Sequence, residues 1–292
     1  MKAAGNGGVK NDVFSDLVDA ILPGNGGKVA VLHAYFDASE RPGGVYCVAG
    51  FAFAKEQAKK FNRDWKRLFV DFGGCHMKEL AHGAGRFKGL DSKQRGGLQV
   101  EAVKIIRKRF TYGVIVSCDK TEIESMLPKW INGLQGAYPV CCHIAMIALS
   151  HQIEKSGHEN EVAYFFESGD QWSGAAHDFM GRADKSPELK KAYRHRSHAF
   201  VNKDGALALQ AADMLAWEWT KFRDETLIQR KRAMRKSLIA MIGGEGGKLH
   251  KNVDGRHITG APLRRFCRLV ANLGLEQLRE DDAAKAARRS KS

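Results

Sequence analysis

The run from Leu207 to Trp219, LALQAADMLAWEW, is helix-forming, apolar almost all round, and carries an aspartate at its centre. A helix of that kind has to face a core. Ala211 and Ala212 are small enough to let its backbone approach a neighbouring sheet closely. At helical spacing Asp213 shares a face with Leu209, Gln210, Ala216 and Trp217. An ionised carboxylate buried there must be neutralised, salt-bridged or bound to a metal ion. Two readings stay open on this segment alone: a structural Asp paired with a Lys or Arg, or a member of a functional site.

The sheet that such a helix needs is legible upstream. KVAVLHAYFD and VYCVAGFAFA are β-like runs joined by ASERPGG, whose Pro and Gly predict a hairpin and antiparallel pairing. Lys55 to Phe72 has helical periodicity and stops at Gly73-Gly74. Ser92 to Phe110 is a second helical run with Asp91 or Ser92 as its cap, and YGVIVSCD returns to a strand. Pro139 to Lys155 reads as a buried helix, VAYFFES as a strand, and HAFVN as a short strand before the Asp213 helix. A hairpin followed by alternating helices and strands predicts an α/β fold around a mixed sheet.

The boundaries follow from composition. Residues 1–27 are rich in Gly and Asn and read as a flexible leading segment, 28–226 as the main domain, 227–275 as a basic helical extension, and 276–292 as a charged, disordered tail. Within the extension the helical stretches are roughly Leu227 to Met241 and Ala261 to Leu275. No run of about eighteen apolar residues and no signal-peptide pattern occurs, so the expectation is a soluble, cytoplasmic protein with no membrane partner. The six cysteines have neither CxxC pairing nor framework spacing, and reduced thiols are expected. Cys75-His76 and Cys141-Cys142-His143 offer zinc-ligand types, but the second lies in an apolar helical run where buried thiols are ordinary.

Charge is unevenly placed. From Lys221 to Ser292 there are 18 Lys and Arg against 8 Asp and Glu, which is +10 of the net +14. Such an excess favours polyanion contacts, most commonly nucleic-acid phosphates, or else forms a solvated basic face.

Three strand-like runs each end in an acid: Asp37 after LHAYF, Asp119 after VIVSC and Glu167 after AYFF. In an α/β sheet the strand ends are where ligands bind, and converging carboxylates repel one another unless cations neutralise them. Alternation along the first strand puts Val31, His33, Tyr35 and Asp37 on one face and Ala30, Leu32, Ala34 and Phe36 on the other. If the Asp213 helix packs on the first of these faces, Asp37 and Asp213 meet. With one further strand-end acid, the oxygen-rich set suits Mg²⁺ or Mn²⁺ better than zinc. Two such ions about 4 Å apart activate water and stabilise the leaving oxygen of a phosphodiester. Joined to the basic C-terminal quarter, this points to a nuclease.

The segments YFDASE, HMKEL, CDK, FFES and LQAADMLAWEW, in that order over about Lys28 to Thr226, resemble a family of uncharacterised microbial and phage proteins with a ribonuclease H-like fold. In that family the first strand commonly ends in a DESG-like motif and the last core helix carries a QLAD-like motif. The resemblance implies a ribonuclease H-like mixed sheet and an acidic metal site on Asp37, Glu167 and Asp213, with Glu79 and Asp119 as further ligands to consider. Ala38 stands where the family often has Glu, leaving Glu40 two positions later, and Glu167 stands where Asp is frequent. Asp119 and Glu167 compete for one role: Asp119 if its strand neighbours the first, Glu167 if the FFES motif is the guide.

His76 and Glu79 share a face if HMKEL is helical, so Glu79 could ligate metal and His76 could shuttle a proton; alternatively, Glu79 pairs with Lys78 or Arg86. Lys120 and Lys203 follow acidic or strand-end positions and are possible phosphate contacts. Trp172, in SGDQWSG, is a possible stacking residue, while the other tryptophans suit packing, and GGEGGKLH lacks the phosphate-loop pattern. The expectation is therefore a Mg²⁺- or Mn²⁺-dependent nuclease acting on RNA or DNA. The rivals are a nucleic-acid-binding or regulatory module that no longer cleaves, and a metal-dependent enzyme on a small phosphate substrate.

Overall fold

Period-two alternation is what sorts the sheet into two faces. Along β1 (Val31–Glu40) Leu32, Ala34 and Phe36 enter one apolar cluster and Tyr35 enters the other. β2 (Val45–Ala54) returns antiparallel to β1, with Asp37 opposite Ala49. At Gly50 the hairpin has no room for a side chain. Gly50 lies opposite Phe36, and a Cβ there would sit 1.9 Å from the Tyr35 carbonyl oxygen. The structure is a computed structural model describing residues 30–41, 44–126, 137–168, 177, 180, 181, 183–227, 233–244, 248–268 and 271–272.

The next helix, α1 (Lys55–Leu68), passes into a 3₁₀ turn over Val70–Phe72 and ends at Gly73, in the left-handed region at φ 65°. A short α2 (Met77–His82) follows. Then comes α3 (Ser92–Arg109), opened by Asp91 and Gln94 in a capping box. β3 (Tyr112–Asp119) leads into α4 (Lys120–Met126), and α5 (Ala137–Lys155) into β4 (Glu161–Glu167). After α6 (Pro187–Tyr193) and β5 (His195–Val201) comes α7 (Leu207–Leu227). The chain continues through α8 (Lys236–Ile242) to β6 (Val253–Ile258) and a helical stretch at 260–268.

The strands form one mixed sheet in the order β5-β4-β1-β2-β3-β6, in which β2 alone runs against the rest. From β1 the chain moves outward to β2 and β3, then crosses back to place β4 and β5 on the other side. β1 and β4 therefore flank a switch point, where the carboxyl ends of parallel strands leave a crevice. α5 covers one face of the sheet, in a cluster with Leu32, Phe36 and Tyr164. On the other face, α7 is buried without interruption from Ala208 to Thr220, between β1 and β2 beneath it and α1, α2 and α8 around it. This explains its lack of a polar side.

One expectation needs correction. The 227–275 segment is not a helical appendage, because β6 inside it adds an edge strand to the sheet, paired with β3. Its sequence, VDGRHI, has a glycine, two charges and no clean alternation, as suits a half-exposed edge. The 1–27 segment, the 276–292 tail and Trp172 lie outside the described residues. Among those described, no helix is long and apolar enough to cross a membrane.

Candidate active site

The pairing of Phe36 with Phe166 in the parallel β1–β4 ladder sets Asp37 and Glu167 side by side at the switch point. Both follow residues, Tyr35 and Phe165, that project into the α7 cluster. Asp213, on α7, faces them from above. The three carboxylates meet at one cation, the ammonium of Lys203, which sits two residues beyond β5. Its Nζ lies 2.9 Å from Asp37 Oδ2, 2.9 Å from Glu167 Oε2 and 3.5 Å from Asp213 Oδ1. Asp37 is 1% exposed and Asp213 5%, whereas the Glu167 side chain keeps 27% of its surface open, so the crevice reaches solvent on that side.

Charge dominates this pocket. Burial pushes the Asp37 carboxyl well above the usual carboxylate range, and Asp213 and Glu167 push the same way against the pull of Lys203. Lys203 also loses solvation on burial, but Asp37, Asp213 and Glu167 outweigh that loss and hold its ammonium above the ordinary lysine value. Asp37 Oδ1 accepts the Ala38 N–H at 2.7 Å, while Oδ2, although in ion-pair range of Lys203, accepts no well-aligned hydrogen bond. One ammonium among three carboxylates leaves an excess of acceptor oxygens. Such a hard, oxygen-only donor set is the type that Mg²⁺ or Mn²⁺ takes.

Two loops are tied to α7 by side chains one turn apart. Asp213 Oδ2 accepts the Met77 N–H at 2.7 Å, which anchors the start of α2 and brings His76 Nδ1 to 3.4 Å from the same oxygen. His76 keeps 44% of its side chain open to solvent. Gln210 Oε1 accepts from the Cys75 N–H and from Trp65 Nε1, each at 2.8 Å, and Gln210 Nε2 donates to the Lys203 carbonyl at 3.1 Å. Gln210 thus fixes the loop of His76 and the loop of Lys203 together. The argument that singles out Asp213, a polar side chain on an all-apolar helix, applies equally to Gln210.

The remaining residues named from sequence lie elsewhere. Asp119 is four residues beyond Ile115, the β3 residue level with Asp37 through Ala49, and two strands away across the sheet. It caps α4, its Oδ1 accepting from the Thr121 N–H, the Thr121 hydroxyl and the Glu122 N–H; these bonds hold its carboxyl below the ordinary value against the effect of partial burial. β4, not β3, is the parallel neighbour of β1, so the strand-adjacency argument selects Glu167. Glu79 turns toward the 3₁₀ turn after α2 and accepts the Arg86 N–H at 3.2 Å, while the Arg86 guanidinium goes to Asp204 and the Gly73 carbonyl. Lys120 pairs with Glu40 at 2.6 Å, away from the crevice. The six cysteines are buried free thiols, with Cys118 and Cys141 in contact.

A second polar group lies on the opposite face. A bulge at Arg196 lets His195 pair with Val162 and His198 with Tyr164, so two histidines three residues apart point the same way. Asp184 stands 3.3 Å from His195 and 3.4 Å from His198, and among the described residues these three alone, not the carboxylates around Lys203, have ligand atoms all within 4.8 Å of one another, close enough to hold one metal ion. Burial pushes His195 down to about 4 and lowers His198, so both imidazoles are neutral near pH 7.

No protein-family model matches this chain, and no curated protein matches it at a significant level.

Proposed function

We propose that this protein is a Mg²⁺- or Mn²⁺-dependent nuclease whose sheet has the ribonuclease H-like arrangement, with Asp37, Glu167 and Asp213 as the metal-holding carboxylates. The convergence of these acids from β1, β4 and α7 on a single buried cation carries the reading. The strand order, with β2 reversed and the acids at the switch point between β1 and β4, supports the fold assignment. Asp37, Glu167 and Asp213 would hold the ions, which when bound would supply water activation and stabilisation of a phosphodiester's leaving oxygen. His76, beside Asp213 and open to solvent, moves a proton to or from the reacting oxygens. Lys203, freed from the carboxylates, orients a phosphate oxygen.

The test is cleavage of labelled RNA and DNA with Mg²⁺, Mn²⁺ or EDTA, comparing wild type with Asp37→Asn and Asp213→Asn. Cleavage should require metal and fall about 100-fold or more in either variant. Metal-independent cleavage, or full activity in a folded Asp213→Asn protein, would overturn the assignment. One observation favours a second reading: Lys203 occupies the space among the acids and offsets part of their charge, as suits a nucleic-acid-binding module that does not cleave. Salt-sensitive binding of nucleic acid without cleavage under any divalent metal selects that module.

A further inference from the structure

One turn of α7 beyond Asp213, the Trp217 indole is enclosed by three cations. The Arg41 guanidinium carbon lies 5.3 Å from the ring centroid, Lys221 Nζ 4.9 Å and the Arg235 guanidinium carbon 5.2 Å. They come from three places in the chain: the turn after β1, the last part of α7, and the residue preceding α8. All three lie within about a Debye length of one another and repel. Cation–π attraction returns only about 0.5–1 kcal/mol for each at a partly exposed site. Glu218 offsets part of this charge. Glu218, fully buried, accepts from Arg235 at 3.0 Å, Gln99 at 2.6 Å and Ser237 at 2.7 Å, so its capacity is committed. The Nε and Nη2 of Arg41 are buried and have no hydrogen-bond partner among the described residues. Burying guanidinium N–H groups without an acceptor is costly unless a ligand supplies one.

We infer that Arg41, Lys221 and Arg235, gathered around Trp217, bind a backbone phosphate of a nucleic-acid strand whose neighbouring phosphate lies at the carboxylate crevice. The inference rests on the nuclease reading and names how that site holds its substrate. Arg41 follows Asp37 by four residues, about 13 Å along an extended strand, and Trp217 follows Asp213 by four, one helical turn, so β1 and α7, two of the three elements that deliver acids to the crevice, also lead to this group. One helical turn advances 5.4 Å, comparable with the spacing of phosphates one or two nucleotides apart. The arrangement gives the cations a division of labour: the Arg41 fork supplies directional donors, and Lys221 and Arg235 supply charge. Trp217, only 6% exposed, is the floor that holds the cations apart, not a platform for a base.

The experiment is fluorescence anisotropy of a labelled single-stranded oligonucleotide in EDTA, so that no cleavage is required, with inorganic phosphate as competitor. Arg41→Gln and Lys221→Gln are compared with Arg63→Gln, a 70% exposed arginine paired with Asp64. Arg41→Gln should weaken oligonucleotide binding about 10-fold and lower the salt slope by about one, Lys221→Gln should weaken it less, and Arg63→Gln should not change it. Asp213→Asn should retain binding, so a protein that binds through Arg41 but never cleaves refutes the nuclease reading and leaves the phosphate subsite standing. Unchanged binding of both the oligonucleotide and inorganic phosphate in Arg41→Gln and Lys221→Gln overturns the subsite. Loss of inorganic phosphate binding with oligonucleotide affinity intact overturns the strand assignment and points to a small phosphate ligand.

Discussion

The two faces of the sheet both bury polar groups under a long helix, but they treat charge in opposite ways. Under α5 the polar groups are neutral and paired: His143 with the Tyr193 hydroxyl, Tyr164 with the Tyr193 carbonyl at 2.6 Å, and Cys118 with Cys141. Burial alone pushes His143 down to about 4, so it stays uncharged. Under α7 the ionisable groups are unbalanced in number, with three acids around one lysine and, a turn away, three cations around one tryptophan. A fold needs only the first arrangement. Keeping like charges together in a low dielectric costs stability, and it persists where a bound ion or ligand completes it.

Breaking the acidic group should give the largest effect. Lys203→Met leaves three crowded carboxylates uncompensated and should destabilise the protein by about 3–5 kcal/mol in EDTA. Millimolar Mg²⁺ should restore much of the lost melting temperature, because a divalent ion takes the place of the ammonium. Thermal denaturation with and without Mg²⁺ checks this. A variant as stable as wild type in EDTA would mean the carboxylates do not act on one another.

The neutral face is sharpened by acid. His143 has a folded value of about 4 against an ordinary value of 6.5, so the unfolded chain takes up its proton first as pH falls. Its contribution is complete above about pH 6.5 and is lost toward pH 4, amounting to about 3 kcal/mol at the acid end. His143→Gln should therefore show a flatter fall of melting temperature between pH 7 and 4.5 than wild type. Equal slopes would show that this face does not hold the imidazole neutral.

Asp119 gives the smallest effect and separates a cap from a ligand. Asp119→Ala should cost about 1 kcal/mol through loss of the α4 cap and leave cleavage and metal binding unchanged. A collapse of activity with normal stability would return Asp119 to the site.

Much of this contrast is legible in the residues. The alternation of β1 assigns Asp37 to the α7 face and Phe36 to the other, and the polar residue on an apolar helix marks Asp213. The choice between Asp119 and Glu167 is not legible, because it depends on which strand crosses back to lie beside β1, and that is a long-range property of the chain. Lys203 reads as one strand-end lysine among many, since only the meeting of β1, β4 and α7 gives it three partners. β6 escapes for the reverse reason. An edge strand takes its pairing from β3 and needs little apolar pattern of its own. Arg41, in the turn after β1, acquires its role only from Trp217, 176 positions later in the chain.

The central claim is that Asp37, Glu167 and Asp213 form one cation site. Its most direct measurement is Mn²⁺ binding followed by electron paramagnetic resonance, on wild type, Asp37→Asn, Glu167→Gln and Asp213→Asn proteins shown to be folded. Saturable binding in wild type that is weakened at least about 10-fold in each variant is the predicted result. Binding that survives all three substitutions, or none in wild type at millimolar Mn²⁺, would contradict it.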